Sequence, residues 1–317
     1  MFSDPSDVVI EVTLDSLLGA RQHCQQLPLF SRPMRTSRQA GRQYSRLRGR
    51  GVDFDQVRAY QPGDDIRNID WRVTARSQKV HTKVFNEERE RPVFIICEQS
   101  NRLCFGSQTY FKTALAAEAC ALIAWTALSH NDRVGGMVFA SGVCHEVRPR
   151  RSRQAMLQLF RLLLEANRAV TPGLAETHDS QSEPLNLALR HSREIIRPGS
   201  ILYLLCDHSA IGQMQHSLMV PLAAHNDLIL LPIHDRLDAE LPDHGGLAFT
   251  QGEQSLTVDT GDPELRERYR AQFGLRELAW QKLATRLRCT LNPLQTSQSP
   301  VTQLRSMLSG AQTRRMR

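Results

Sequence analysis

Residues 92–132, PVFIICEQSNRLCFGSQTYFKTALAAEACALIAWTALSHND, join a short apolar run to a long stretch with helical periodicity. The first seven residues, 92–98, have the length and composition of a fully buried β-strand. From Ser107 to the end of the stretch, apolar side chains recur every three or four positions, which predicts an α-helix with Ser107 as its N-cap. A buried strand followed by a helix is the repeating unit of a parallel sheet.

The same alternation continues towards the carboxyl terminus. Strands are predicted at 133–140, 143–149, 200–207 and 228–235, and helices at 152–168, 184–197 and 212–227, with a polar loop at 171–183. Short buried strands separated by helices indicate an α/β fold, with a doubly wound, mostly parallel sheet and helices on both faces. A hairpin at 247–259 and a long charged helix at 263–288 are predicted to follow.

The segment before residue 92 has a different character. It contains a predicted helix at 13–27, an arginine-rich tract, a stretch rich in glycine and aspartate, and a strand-like segment at 79–88. The strand and helix alternation is missing there, which favours a separate mixed module. We therefore predict an N-terminal module over residues 1–91, the α/β domain over 92–310 and a basic tail over 311–317.

Composition indicates a globular protein, because hydrophobic residues form 41% of the chain and charged residues 23%. The acidic start of the chain does not fit the basic region of a signal peptide. The longest apolar run, 114–128, contains Glu118 and is too short to cross a membrane. Seven irregularly spaced cysteines without a C-x-x-C pair are typical of a reducing compartment, so we expect a cytoplasmic protein.

Common enzyme signatures are missing from the sequence, namely the Walker A motif, the G-x-S-x-G elbow, H-E-x-x-H and the dinucleotide-binding glycine fingerprint. His81, His208 and His234 lie at or beside predicted strands. At such places a structural histidine is favoured over a catalytic base or a metal ligand. We expect a protein that is not an enzyme, and a metal-assisted enzyme is the weaker alternative.

An arginine tract carries much of the excess positive charge. Between Ser31 and Gly51 there are seven arginines, no acid and a single aromatic residue, Tyr44, in a chain of net charge +7. One interpretation is binding of nucleic acid through residues 32–50, and the other is a basic arm that contacts an acidic protein surface. The second is favoured, because a basic run without a nucleic-acid-binding fold signature is a weak motif.

Oxygen-bearing side chains follow two predicted strands at their carboxyl ends. Glu98 and Ser100 follow the first strand, and Asp207 and Ser209 follow the strand at 200–207. Ligands of open α/β sheets bind at this edge, and Mg²⁺ prefers such oxygen ligands. Acids and serines at strand ends also cap the helices that follow, and the spacing does not separate the two interpretations.

A second concentration of charge is YQPGDDIRNIDWR, residues 60–72, which lies directly before the sheet. After the Pro-Gly turn, Asp64 or Asp65 can cap the next turn, and Arg67 and Arg72 can neutralise neighbouring acids. We predict a structural role for this stretch. The alternative is that the stretch, including Asp70 and Trp71, contacts a partner protein.

These stretches together resemble domain-of-unknown-function family fifty-eight. The resemblance rests on GRGVDFDQVRAYQPGDDIRNIDWRVTARSQKVHTKVFNEERERP (49–92), FIICEQSNRLCFGS (94–107), FKTALAAEACALIAWTAL (111–128), DRVGGMVF (132–139) and PIHDRLDAELPDHGGLAF (232–249). It implies a von Willebrand factor A-like domain and a MoxR-type AAA+ ATPase as partner. It also implies an adaptor that assembles or remodels an unknown client protein, rather than an enzyme.

Von Willebrand factor A domains bind a divalent ion through a D-x-S-x-S loop after the first strand. The resemblance places EQSNR at this loop, so that Glu98 replaces the aspartate, Ser100 matches a serine and Arg102 stands at the second serine. Asp207 matches an aspartate that follows the family's fourth strand. A threonine from another loop completes the ion site of the family. The resemblance does not decide which residue of this chain corresponds to it, since Thr171 or Thr177 can supply it.

The change to Arg102 brings a positive charge into a site built for a cation, and the two charges repel. We therefore expect a degenerate loop with no metal cofactor, Mg²⁺ included. If the chain keeps the family's fold, Glu98 and Asp207 face each other and need a cation. The guanidinium of Arg102 is predicted to be that cation.

Overall fold

A computed structural model of the chain describes residues 8–27, 52–62, 64–87, 91–140, 143–170, 184–251 and 254–313. The chain divides into two compact units. The first, which we call the sheet unit, comprises residues 1–32 and 91–317, and the second, the hairpin unit, comprises residues 33–90. The predicted loop at 171–183 and the whole arginine tract lie outside the described residues.

The described elements alternate along the chain. The α-helices are α1 (Leu14–Gly19), α2 (Trp71–Ser77), α3 (Lys112–Ser129), α4 (Arg153–Ala169), α5 (Pro184–Ile195), α6 (His216–His225), α7 (Arg236–Ala239), α8 (Pro263–Leu287) and α9 (Pro300–Thr313). The strands are β1 (Val52–Ala59), β2 (His81–Glu87), β3 (Val93–Glu98), β4 (Val134–Ala140), β5 (Val143–Arg150), β6 (Ile201–Asp207), β7 (Asp227–His234), β8 (Gly246–Gln251), β9 (Gln254–Asp259), β10 (Thr290–Leu291) and β11 (Leu294–Gln295).

The central sheet has the order β10-β7-β6-β3-β4-β5, and β11 also pairs with β7. Within this sheet, among the strands described, only β5 runs antiparallel to its neighbour, and the other pairs are parallel. The predicted α/β fold with a mostly parallel sheet is therefore confirmed. Cys97 of β3 pairs with Leu205 of β6, which brings Glu98 and Asp207 to the same edge.

Each face of the sheet is covered by its own apolar core, as the alternation of side chains in β3 shows. Val93, Ile95 and Cys97 belong to the core formed with α3 and α4. Phe94 and Ile96 belong to the core formed with α5, α6 and α8. A strand buried on both faces has no polar positions, which explains its continuous apolar sequence.

The helix after β3 starts later than predicted. Helix α3 begins at Lys112 with Phe111 as its N-cap, and residues 101–103 form a short 3-10 turn. Ser107 is therefore not the cap, which corrects the prediction. Its backbone N–H and its hydroxyl both bind the carboxylate of Asp235, a distant acid that the local sequence pattern does not reveal.

The predicted N-terminal module of residues 1–91 contains segments of both units. Helix α1 and the 3-10 helix Ala20–Gln26 belong to the sheet unit. Leu17 is fully buried there, and Trp125 of α3 donates an indole hydrogen bond to its carbonyl oxygen at 2.9 Å. Apolar periodicity predicted this helix but not the core in which it is buried.

The hairpin unit is built on the antiparallel pair β1 and β2, with a β-bulge between Phe54 and Gln56. The chain between the strands forms the 3-10 helix Ile66–Asn68 and then α2. The strand-like segment at 79–88 corresponds to β2. Strand β1 was not predicted, because its alternation of apolar and acidic residues at 52–55 ends after four residues, at the β-bulge.

The carboxyl-terminal part adds the predicted hairpin, as β8 and β9, and the predicted long helix, as α8. Helix α9 and the short strands β10 and β11 were not predicted. The tail residues 314–317 lie outside the described part. Among the described helices, none has both the length and the apolar character needed to cross a membrane.

Candidate functional site

The carboxyl edge of the sheet contains a buried ion pair. The ammonium of Lys112, the first residue of α3, donates to Asp207 Oδ2 at 2.7 Å and to Asp238 Oδ2 at 3.0 Å. Lys112 is only 3% exposed. Burial favours the neutral amine, but the two carboxylates outweigh it and raise the pKa of Lys112 above its ordinary value.

The other oxygen of Asp207 is also bound. Asp207 Oδ1 accepts from the backbone N–H of Ser209 at 2.8 Å and from its hydroxyl, so the aspartate caps the turn after β6. Burial works to raise the pKa of Asp207, yet Lys112 and these hydrogen bonds prevail and hold the pKa below its usual range. The capping interpretation of this strand end is therefore correct for Asp207.

Glu98 lies beside Asp207 and accepts hydrogen bonds on both carboxylate oxygens. Ser100 Oγ donates to Oε1 at 2.5 Å, and the backbone N–H of Asp207 donates to Oε2 at 2.8 Å. Burial is the main reason why the pKa of Glu98 is raised, and the negative charge of Asp207 raises it further. The predicted meeting of these two carboxylates at adjacent strand ends is thus present.

The predicted cation, Arg102, pairs with Glu98 only among the described residues, and at long distance. Arg102 Nε lies 3.9 Å from Glu98 Oε1, and the side chain of Arg102 is about one-third exposed. Lys112, which the sequence did not single out, makes the close contact with Asp207 instead. The close cation of this edge is therefore the buried first residue of α3.

Asp235 ties three further segments together behind this ion pair. It is fully buried and accepts hydrogen bonds from Ser107, from the Thr296 hydroxyl and from the backbone N–H of Leu237. Its own backbone N–H donates to Asp238 Oδ2 at 2.8 Å. Burial opposes ionisation of Asp235, but the hydrogen bonds lower its pKa. The acids at three strand ends therefore form one connected network.

The arrangement does not fit the divalent ion that the resemblance implies. A metal would need free oxygens of Glu98, Ser100 and Asp207, but the oxygens of both carboxylates already accept from N–H or O–H groups. Within the described residues, no group of three His, Cys, Asp or Glu side chains is arranged to hold a metal ion. Thr171 and Thr177 lie outside the described part of the chain.

Two histidines lie next to the network. The His208 ring stacks on Phe273 at 4.4 Å between centroids and lies 5.6 Å from His234. Burial, followed by the neighbouring His234, lowers the pKa of His208 to about 4. Burial also lowers the pKa of His234, whose Nδ1 has no hydrogen-bond partner among the described atoms. Both are packed as neutral rings.

The acids of YQPGDDIRNIDWR act mainly as caps in the hairpin unit. Asp65 accepts from the backbone N–H of Arg67 at 3.0 Å, and Asp70 caps α2 through the N–H groups of Arg72 and Val73. The N–H of Val73 is the main cause of the lowered pKa of Asp70.

The cations that face these acids differ from the predicted ones. Arg58 contacts Asp64 at 2.7 Å, and Lys83 lies 3.7 Å from Asp70. Arg67 and Arg72 instead contribute their backbone N–H groups, and their side chains are exposed. The predicted structural role of the acids therefore operates through helix caps and through partners on the flanking strands.

The same stretch exposes large apolar side chains. Trp71 is 68% exposed and Ile66 is 65% exposed. Exposed guanidinium groups of Arg67, Arg72 and Arg76 accompany them. We call these five residues the Trp71 surface. Because tryptophan and arginine contribute strongly to protein interfaces, the surface has the composition of a contact site.

The fold and the edge define the class of this molecule: an α/β protein with a mostly parallel sheet whose carboxyl edge is closed by an internal ion pair. The family model described as "Protein of unknown function DUF58" matches residues 56–277. The chain belongs to this family, as the resemblance of its sequence indicated.

Relatives and solved structures extend the comparison. Uncharacterized proteins of Mycobacterium bovis and Mycobacterium tuberculosis are 27% identical over 223 residues, which cover 69% of this chain and 67% of theirs. BatB, a conserved hypothetical protein from Bacteroides thetaiotaomicron, matches with a TM-score of 0.38 at 12% identity and covers 70% of this chain and 99% of its own. An aerotolerance-related membrane protein from Bacteroides fragilis matches with a TM-score of 0.37 at 13% identity and the same coverage.

Proposed function

We propose that the chain is a non-enzymatic interaction protein with a von Willebrand factor A-like sheet unit. In this proposal it works in the cytoplasm with a MoxR-type AAA+ ATPase on other proteins. The single observation that carries the proposal is the exposure of Trp71 and Ile66 in the hairpin unit. An exposed tryptophan beside arginines leaves a large apolar surface in water, which is unfavourable unless a partner covers it.

The strand ends support the von Willebrand factor A-like part of the proposal. Glu98 ends the first strand of the central sheet in chain order, and Asp207 ends the fourth. These are the places that the metal-binding residues occupy in that class. The carboxylates are engaged by Lys112 and by backbone N–H groups, which supports a structural role for them over acid-base catalysis.

The Trp71 surface also specifies the chemistry of the partner. The aspartates of this stretch are used as caps, whereas the guanidinium groups of Arg67, Arg72 and Arg76 are exposed. The complementary surface is therefore an apolar pocket with an acidic rim. We assign this surface to the ATPase, the partner that the family resemblance implies.

The proposal is tested by binding of the purified chain to the purified MoxR-type ATPase of the same organism, measured by surface plasmon resonance. We expect saturable binding, and we expect Trp71→Ala to weaken it by about 30-fold, the effect of losing an interface contact worth about 2 kcal/mol. Leu275→Ala is the matched control, because Leu275 of α8 is 69% exposed and lies in the other unit.

Two results would overturn the proposal. One is the lack of binding to the ATPase with ATP, with ADP and without nucleotide, for a wild-type chain that is folded by circular dichroism. The other is an equal loss of affinity for Trp71→Ala and Leu275→Ala. Tight, sequence-dependent binding of DNA or RNA would instead favour the function assigned to residues 32–50.

A further inference from the structure

We infer that the Lys112 ammonium is a built-in replacement for a divalent ion at the carboxyl edge of the sheet. It holds the carboxylates of Asp207 and Asp238 together without metal, and its removal turns the edge into a metal site. The inference concerns the sheet unit alone and is independent of the proposed ATPase partner.

The position of the ammonium supports this inference. Nζ lies between oxygens of two different elements, 2.7 Å from Asp207 at the end of β6 and 3.0 Å from Asp238 in α7. A bridging Mn²⁺ or Mg²⁺ would hold the same oxygens at about 2.1 Å, and Ca²⁺ at about 2.4 Å. Each carboxylate would therefore have to approach by less than about 1 Å. The Phe105 ring, with its centroid 5.9 Å from Nζ, covers the ammonium on another side.

The charges at the edge support it as well. Lys112 is the first residue of α3, where the helix dipole disfavours a cation. Its burial adds a desolvation cost, so the site must supply strong compensating anions. Without the ammonium, Asp207 and Asp238 would converge at the edge beside Glu98 with no close cation among their described contacts. Carboxylates held together in this way need a metal ion or a proton.

Two substitutions that remove the same charge separate the effects of charge and space. Lys112→Ser removes the ammonium and its aliphatic stem, which leaves room for an ion and its water ligands. Lys112→Met removes the charge but fills the space with a side chain of similar length. Mn²⁺ is the probe, measured by isothermal titration calorimetry and by thermal melting with excess MnCl₂ or with EDTA.

We expect the wild type to melt at the same temperature with Mn²⁺ and with EDTA. Lys112→Ser should melt at a lower temperature in EDTA, recover in Mn²⁺ and bind one Mn²⁺ at least about tenfold more tightly than the wild type does. Lys112→Met should be destabilised without recovering. Adding Asp207→Asn to Lys112→Ser should abolish the binding of Mn²⁺.

Saturable, stoichiometric binding of Mn²⁺ by the wild type would overturn the inference, and so would a Lys112→Ser protein that folds but gains no affinity. If Lys112→Ser does not fold during expression, refolding from urea decides the question. Recovery of folded protein with Mn²⁺ but not with EDTA would support the inference. Failure to refold under both conditions would overturn it.

Discussion

Glu98 and Asp207 are both buried carboxylates at the ends of neighbouring strands, yet their surroundings shift their pKa values in opposite directions. Lys112 and Ser209 stabilise the ionised form of Asp207. Burial and the charge of Asp207 disfavour ionisation of Glu98. Replacement by a neutral amide should therefore lower the free energy of unfolding more at Asp207 than at Glu98.

We expect Asp207→Asn to lower the free energy of unfolding by about 3 to 5 kcal/mol, because it leaves the buried Lys112 with one carboxylate fewer. Glu98→Gln should change it by less than about 1 kcal/mol, since the amide oxygen can still accept from the Asp207 N–H. Urea unfolding at neutral pH measures both values. Equal losses for the two variants would contradict this assignment of the ion pair.

In the hairpin unit, substitutions of Asp70 and Arg67 allow the same kind of comparison. Asp70→Ala removes the cap of α2 and should lower the melting temperature of this unit by a few degrees. Arg67→Ala should leave it unchanged, because the backbone N–H that binds Asp65 remains. A temperature series of amide NMR signals from residues 52–87 reports the melting of this unit. A larger effect of Arg67→Ala would show that the predicted neutralisation by its side chain is real.

At the scale of elements, α8 is held against the turn that follows β6. Trp280 of α8 donates its indole N–H to the carbonyl oxygen of His208 at 2.9 Å. Phe273 of the same helix stacks on the His208 ring. Helix α8 therefore packs on the neutral form of the His208 imidazole. The stability of this contact depends on pH, because protonation of the ring opposes it.

The sign of this dependence follows from the lowered pKa of His208. The unfolded chain binds a proton near pH 6.5, whereas the folded chain resists it until about pH 4. The contribution of His208 is fully present above pH 6.5 and is lost as the pH falls towards 4. We expect His208→Phe, which keeps the stacked ring, to flatten the fall of stability in this window. Urea unfolding of both proteins at several pH values measures the difference, and parallel curves would contradict the prediction.

At the scale of the whole molecule, the two units have separate sets of stabilising contacts. We expect Asp70→Ala to speed amide hydrogen exchange in residues 52–87 and to leave β3 and β6 unchanged. Asp207→Asn should do the reverse, with faster exchange at the ends of β3 and β6. Exchange measured by mass spectrometry tests both. Faster exchange throughout the chain in either variant would show that the units unfold together.

The net charge of +7 also belongs to this scale. We expect binding of the full chain to DNA and RNA to be weak and independent of sequence, because residues 32–50 contain only one aromatic residue for stacking on bases. Fluorescence anisotropy at physiological salt measures it, with the variant in which Arg42, Arg46 and Arg48 are alanine as the control. Tight binding that the control abolishes would contradict the adaptor function.

The sequence by itself determined the α/β class and the edge at which the acids meet. Continuous apolar runs such as 93–97 and 201–206 require strands buried on both faces, and residues at the carboxyl ends of parallel strands lie at one edge. The period of apolar residues also predicted most helices of the sheet unit. It missed β1, whose alternation ends at the β-bulge, and the helices α7 and α9.

Only the tertiary structure decided which cation closes the edge. Lys112 and Asp207 are 95 residues apart, and Ser107 and Asp235 are 128 apart, so no local pattern links them. Arg102 was predicted because it is close in sequence, but its side chain remains partly in solvent. Periodicity reports which face of an element is buried. The direction in which a single lysine at the start of a helix points depends on how that helix docks on the sheet, which is set by the packing of the whole core.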